Sequence, residues 1–221
     1  MVVAVGGDGT FLRACSKYPN TPVIAFKQAG SLGMLIDYDL KNSKKVLNKV
    51  LEGKYALRSE PLLVAEVKGK QYISAGDFYV ERGIDHQATR YEVTINDKEK
   101  KIEINGIGNG FIVSTPLGAS GYFSYIEKLS GKKPFSLPAG SFGFEHILPF
   151  YLSEFINGAK TKPRIRHLLG KNFEIRVKLT RDIDQYLFSS SFLGSYIRLQ
   201  KNSVIRFFAS DKFAEIIKAK I

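Results

Sequence analysis

An α/β segment followed by a mostly antiparallel, β-rich domain is the fold class predicted by this 221-residue sequence. Three observations predict it. A short β-branched run at residues 2–5 meets the glycine-rich turn Gly6-Gly7-Asp8-Gly9-Thr10 and then a helical stretch. Strand and helix patterns alternate up to about residue 58, which is the grammar of an α/β sheet. Beyond that point short strand patterns follow one another, separated by turn pairs such as Lys68-Gly69 and Asn96-Asp97.

The elements follow in order. Residues 2–5 predict a strand, 11–18 a helix, and 22–26 a second buried strand ended by Gly30 and Gly33. Asp39 suits the cap of a helix over 40–52, with Leu40, Leu47, Val50 and Leu51 on one face and Gly53 as the stop. Strands are predicted over 62–68, 72–81, 91–96, 101–105 and Gly110–Ser114. After the Gly/Ser/Pro-rich stretch 131–143 they resume over 172–180, 186–192, 196–200 and 204–209. The spacing of Phe213, Ile216 and Ile217 predicts a closing helix over 211–220, with Ser210 as its cap. The expected division is 1–60 as an α/β nucleotide- and phosphate-binding part, 61–205 as a β-rich domain, and 206–221 as a strand end and helix packing back on the α/β part.

Composition narrows the function classes. A chain that is 44% hydrophobic and 24% charged is of ordinary globular character. No apolar run is long enough for a transmembrane helix, and no secretory signal pattern opens the chain. The single cysteine, Cys15, rules out an internal disulfide framework and suits a reducing, cytoplasmic setting. Three scattered histidines (His86, His146, His167) and one cysteine cannot assemble a zinc site from N/S ligands alone, and the histidines read as structural. The net charge of +12 fits an anionic ligand; without a zinc-finger or aromatic RNA-binding signature, nucleic acid is disfavoured.

Three glycine-rich segments carry the chemistry. In Gly6-Gly7-Asp8-Gly9-Thr10 the glycines let backbone N–H groups approach phosphate oxygens, and the helix beyond adds its positive end. Asp8 would repel a phosphate, so its presence points to metal binding or proton abstraction. A tight strand-to-helix turn with Asp8 as an ordinary cap is the plainer alternative. The second loop, Gly30-Ser31-Leu32-Gly33, lies beside the first if their strands are parallel neighbours, because open α/β sheets bind ligands at the carboxyl ends of their strands. In the third, Gly108-Asn109-Gly110 leads through a strand to Thr115-Pro116-Leu117-Gly118-Ala119-Ser120-Gly121-Tyr122. Its hydroxyls suit ribose or phosphate, and Tyr122 offers a stacking face. Asp77, near a strand start, is a turn acid or a ligand to substrate hydroxyls, and Cys15 reads as a core thiol.

Together these segments resemble the NAD kinase family. The opening strand-GGDGT-FLRA is similar to the family's first signature, Ala29 to Met34 to its second glycine segment, and GNGFIVSTPLGASGY to its third, which typically reads GDG, a strand, then TPTGSTAY. GGDGT alone is shared with lipid kinases; the third segment separates the two groups. The resemblance implies a truncated Rossmann-like part joined to an NAD kinase-like β-sandwich. It also implies phosphorylation of the adenosine ribose 2′-hydroxyl of NAD from ATP or polyphosphate with Mg2+ or another divalent metal, in a cytoplasmic homodimer or homotetramer acting on NAD(H). Carried over by position, Asp8 is the catalytic acid/base, and Gly6, Gly7, Gly9, Thr10 and Phe11 shape the phosphate- and ATP-binding loop. Gly33, Met34, Gly76, Asp77, Asn109, Thr115, Gly118, Ser120, Gly121 and Tyr122 line the NAD pocket.

The sequence departs from the family pattern at defined places. The family's Asn-Glu pair stands here as Gly76-Asp77, and the aspartate of GDG is Asn109. Phe123-Ser124-Tyr125 replaces a small-residue run after Tyr122, and this sequence opens at the strand before GGDGT, where the family pattern has a further strand and helix ahead of it. The alternatives are a nucleotide-binding paralogue without turnover and a GGDGT-type lipid kinase.

Overall fold

The structure is a computed structural model describing residues 1–31, 33–84, 87–124, 135–192 and 194–220. β1 (Val2–Gly6) leads into α1 (Asp8–Lys17), β2 (Pro22–Lys27), the two-residue β3 (Tyr38–Asp39), a 3-10 turn over Leu40–Asn42 and α2 (Ser43–Leu51). Strands then follow: β4 (Tyr55–Val67), β5 (Lys70–Ser74), β6 (Asp77–Arg82), β7 (Thr89–Asp97), β8 (Lys100–Gly108) and β9 (Gly110–Ser114). Two 3-10 turns, Gly118–Ser120 and Tyr122–Ser124, precede β10 (Phe142–Ile147), β11 (Tyr151–Ile156), β12 (Ala159–Thr161) and β13 (Arg166–Leu169). β14 (Phe173–Leu179), β15 (Gln185–Ser189), β16 (Ile197–Leu199) and the long β17 (Val204–Ala219) complete the chain. The α/β part followed by a β-rich domain is as the sequence predicts.

The strands form two sheets. The larger runs β1-β2-β17-β14-β7-β8-β11-β12, with β3 beside β2 and β4 bridging β17 and β5; the smaller runs β13-β10-β9-β6-β15-β16. Val67, Val93, Ile175 and Phe207 from the first sheet meet Phe78, Phe111, Phe144 and Leu187 from the second in one apolar layer. Each fully buried side chain of this kind stabilises the fold by about 1.5–3 kcal/mol. At the N-terminal end the first sheet is covered on both faces. α1 packs Phe11, Leu12 and Cys15 against Ala4, Val23, Ala214 and Ile216, whereas α2 packs Val46 and Val50 against Ile24, Phe26 and Ile217.

Residues 211–220 form no helix. β17 runs through Ala219, pairing with β4 from Phe213↔Pro61 to Ala219↔Tyr55 and in parallel with β2 at Glu215↔Pro22 and Ile216↔Val23. A strand buried on both faces loses its polar alternation, so adjacent isoleucines near Phe213 imitate a helical stripe; tertiary pairing overrides the helix propensity of alanine and lysine. Ser210 therefore caps nothing helical. It lies at the bulge between Ala209 and Phe213, where its hydroxyl accepts the Lys212 N–H at 3.0 Å.

Other boundaries also move. α1 starts at Asp8, so the glycine turn is shorter than residues 6–10 suggest. The predicted helix over 40–52 begins with a 3-10 turn, Asp39 makes no side-chain cap bond, and Leu40 and Leu51 face solvent. The single strand expected over 72–81 breaks at Ala75-Gly76, where the chain crosses from the large sheet to the small one. β10, β11, β12 and β13 arise where no strand was expected.

Candidate functional site

β1 and β2 are parallel neighbours, paired from Val2↔Val23 to Gly6↔Lys27, so both glycine loops leave the same sheet edge. Gly6 adopts φ +153°, and a Cβ there would stand 2.6 Å from Thr10 Oγ1, so the turn into α1 needs glycine. The Gly7 carbonyl accepts the N–H groups of Thr10 and Phe11 at 3.0 and 3.1 Å. Asp8 and Gly9 are the first residues of the helix, whose opening N–H groups lack intrahelical partners. Gly9 is exposed, with open space where a side chain would be.

Asp8 joins the two loops. Its Oδ2 accepts the Met34 N–H at 2.8 Å and its Oδ1 accepts the Leu35 N–H at 3.0 Å. Ser31 Oγ accepts the Gly33 N–H at 3.3 Å, and a Cβ on Gly33 would stand 2.8 Å from Asp8 Oδ1. The carboxylate is half-buried at the positive end of α1, a favourable place for its charge. A carboxylate has about four lone-pair sites, so two amide bonds leave capacity for a hydroxyl proton.

The third segment docks on the 75–77 corner and on α1. Thr115 Oγ1 donates to the Ala75 carbonyl at 2.6 Å and accepts the Gly118 N–H at 3.2 Å, while the Thr115 N–H donates to the Gly76 carbonyl at 2.9 Å. A Cβ on Gly118 would sit 2.6 Å from the Gly76 carbonyl group, so only glycine permits this approach. Leu117 enters the apolar cluster that holds Phe11, Leu12 and Ala75. Ser16 of α1 accepts the Ala75 N–H at 2.9 Å. Leu12 lies four residues beyond Asp8, about 6 Å along the helix axis, so one short helix holds the first loop and the docking surface of the third.

Asp77 opens β6, opposite Ser114 in β9. It is 7% exposed, and burial pushes its carboxyl up to about 6, against the pull of the Ser190 backbone and hydroxyl and its own amide. A neighbouring serine run supports it: Ser189 Oγ donates to the Asp77 carbonyl at 2.8 Å and lies 3.0 Å from Ser74 Oγ, and a Cβ on Gly76 would collide with Ser190 Oγ. Ser16 and the 189–191 serines escaped the sequence reading; the run of three serines closing a strand was the visible signal.

Not every predicted residue joins this site. Phe11 is a core side chain, 2% exposed, and its N–H is spent on Gly7. Asn109 lies at the far end of β9, six extended residues or about 20 Å from Thr115, where its N–H donates to the Ile147 carbonyl at 3.0 Å. Met34 presents its amide to Asp8 and an exposed side chain. Ser120, Gly121 and Tyr122 continue from the Thr115 turn. The Tyr122 hydroxyl donates to Glu81, and its ring stands edge-on to Tyr79 at 5.3 Å. Leu32, Tyr125 and His86 lie outside the described residues, as do residues 131–134 of the Gly/Ser/Pro-rich stretch.

Cys15 is fully buried, and burial pushes its thiol up to about 12. His146 and His167 are interior groups of the sandwich. His146 Nδ1 lies 2.8 Å from Tyr91 Oη, and His167 Nε2 lies 3.4 Å from Glu154 Oε2. Burial holds His146 down to about 3, with His167 adding to it, and His167 down to about 4 despite Glu154.

Among the described residues no group of three or more His, Cys, Asp or Glu could hold a metal ion. A magnesium ion is commonly held by one or two carboxylates together with substrate phosphates, so Asp8 is the one side chain of the loop with the chemistry to share such an ion.

A family model described as the ATP-NAD kinase N-terminal domain matches residues 1–55. The NAD kinase of Nitrosospira multiformis is 33% identical over 129 residues, 55% of this chain and 42% of that enzyme. The NAD kinase of Saccharolobus islandicus (strain M.14.25) is 28% identical over 224 residues, 99% of this chain and 84% of that enzyme. The matches span less than half the length of the first bacterial relatives, 42% and 45%. The fold is that of yeast NADH kinase solved with NADH, with a TM-score of 0.75 at 20% identity over 99% of this chain and 62% of that one. It is equally that of an Archaeoglobus fulgidus NAD kinase solved with ATP, with a TM-score of 0.72 at 19% identity over 99% of this chain and 77% of that one. The shared fold and the sequence matches agree: the chain is similar to NAD kinases along its length and has their fold.

Proposed function

We propose that the chain transfers a phosphoryl group from ATP or polyphosphate to the adenosine ribose 2′-hydroxyl of NAD, giving NADP. The observation that carries this reading is Asp8, whose carboxylate is fixed by two amides of the second glycine loop at the shared carboxyl edge of β1 and β2. In the step, the ribose oxygen forms a bond to the terminal phosphorus as its proton passes to Asp8. The bridging P–O bond of the donor breaks, and its electron pair leaves with ADP or a shortened polyphosphate. The opening N–H groups of α1 would offer donors to the transferring phosphoryl, and Ser120 to Tyr122 would take the adenosine half. Asp8 would share a divalent ion with the donor's phosphates, and such an ion would supply charge neutralisation there. The solved NADH kinase and NAD kinase bind NADH and ATP respectively, which supports the same two ligands here.

Incubation with NAD, magnesium and either donor, read by mass spectrometry for NADP, tests the reading. Product from the wild type and a collapse in Asp8→Asn are the expected results. One observation favours a second reading, a nucleotide binder without turnover: the acid at the Asn-Glu position, Asp77, is buried beneath serines. NAD binding by calorimetry without NADP formation would establish that alternative.

A further inference from the structure

The parallel register aligns three residues across the sheet edge: Gly6 of β1 faces Lys27 of β2, and Lys27 faces Asp39 of β3. Adjacent strands are about 4.8 Å apart, so the half-buried Lys27 stands one strand from the start of the first glycine loop. Next to it lies a cavity of about 450 Å³ lined by Lys27, Gln28, Ala29, Asp39, Leu40 and Lys41. The lining carries two ammonium groups against one carboxylate. Among the described residues neither lysine enters an ion pair, although eleven such pairs form elsewhere. Two cations that enter no ion pair, one strand from the opening N–H groups of α1, form an anion site.

We propose that this cavity binds the polyphosphate chain of the phosphoryl donor, with Lys27 as the positioning residue that draws the chain across from β2 towards the loop of Gly6 to Thr10. The inference rests on the kinase reading above for the identity of the anion. Lys41 adds charge at the outer wall, and Asp39 repels a chain that enters too far along β3. The ligand class is a linear chain of phosphates, whether it belongs to a nucleoside triphosphate or to inorganic polyphosphate.

Calorimetry on the full chain with inorganic tripolyphosphate, comparing wild type, Lys27→Ala and Lys27→Arg, tests the cavity without catalysis. Lys27→Ala is expected to weaken binding roughly tenfold or more, the size of one lost charge-assisted contact, and Lys27→Arg to restore most of it. In turnover, Lys27→Ala should raise the KM for ATP and for polyphosphate alike while leaving the KM for NAD in place. Equal binding by wild type and Lys27→Ala, no binding by wild type, or a KM change for ATP alone would overturn the proposal. Lys27-dependent tripolyphosphate binding without any NADP would support the cavity and overturn the kinase reading instead.

Discussion

Asp8 and Asp77 are two carboxylates set in opposite surroundings. Asp8 is half-buried at a helix start, and backbone amides from a different loop hold both of its oxygens. Asp77 is buried at a sheet corner next to serine hydroxyls, and its carboxyl is pushed up to about 6. The first arrangement leaves a carboxylate half-buried at the edge shared by β1 and β2, as the proposed proton acceptor requires. The second makes charge costly and suits a group that fixes the corner on which the Thr115 turn rests.

The largest expected break in this contrast is Asp8→Asn. It removes the proposed proton acceptor and turns an amide NH2 towards a backbone donor. NADP formation should fall by about 10²–10⁴-fold while circular dichroism keeps the strand signal. Asp77→Asn should act with the opposite sign on stability. The folded chain holds the Asp77 proton up to about pH 6, whereas the unfolded chain releases it near 3.8, so this group's contribution is full below 3.8 and is lost as pH rises through 6. Asparagine should flatten that slope in urea titrations between pH 4 and 7 and raise stability at pH 7 by up to about 3 kcal/mol. The two buried histidines work the other way, giving stability above pH 6.5 that is lost as pH falls towards 4 and 3, so the slope must be compared between variant and wild type.

Gly118→Ala tests the corner itself. Its Cβ would press on the Gly76 carbonyl and on Ser114 Oγ, and overpacking of this kind costs about 1–3 kcal/mol, measurable as a lower denaturation midpoint. The smallest effect belongs to Ser31→Ala, which removes the bond to the Gly33 N–H. It should cost about 1 kcal/mol or less and show mainly as a higher KM for NAD, since Asp8 still holds the loop.

These contrasts also mark what the sequence could reveal. The first and second loops and their adjacency were legible, because glycine clusters after short apolar strands have few structural uses and parallel α/β sheets gather them on one edge. The surroundings of Asp77 were hidden, because Ser189 lies 112 residues away and only sheet pairing brings it there. Asn109 looked like part of the third segment through sequence proximity, yet an extended strand separates its two ends by its full length. The second half of β17 resembled a helix because α1 and α2 cover its two faces.

That strand has a consequence for how the molecule is made. At its bulge β17 changes neighbour, from β14 over Val204 to Phe208 to β2 over Glu215 and Ile216, while Phe213 and Asn20 exchange bonds of 2.8 and 2.9 Å. During synthesis β1 and β2 emerge long before β17, whose Glu215 and Ile216 complete their sheet. The glycine loop between β1 and α1 is therefore secured by a strand far removed from it in sequence. Such non-local closure slows folding, and until Ala219 leaves the ribosome the flank of β2 stays uncovered, a waiting period in which a chaperone has something to hold.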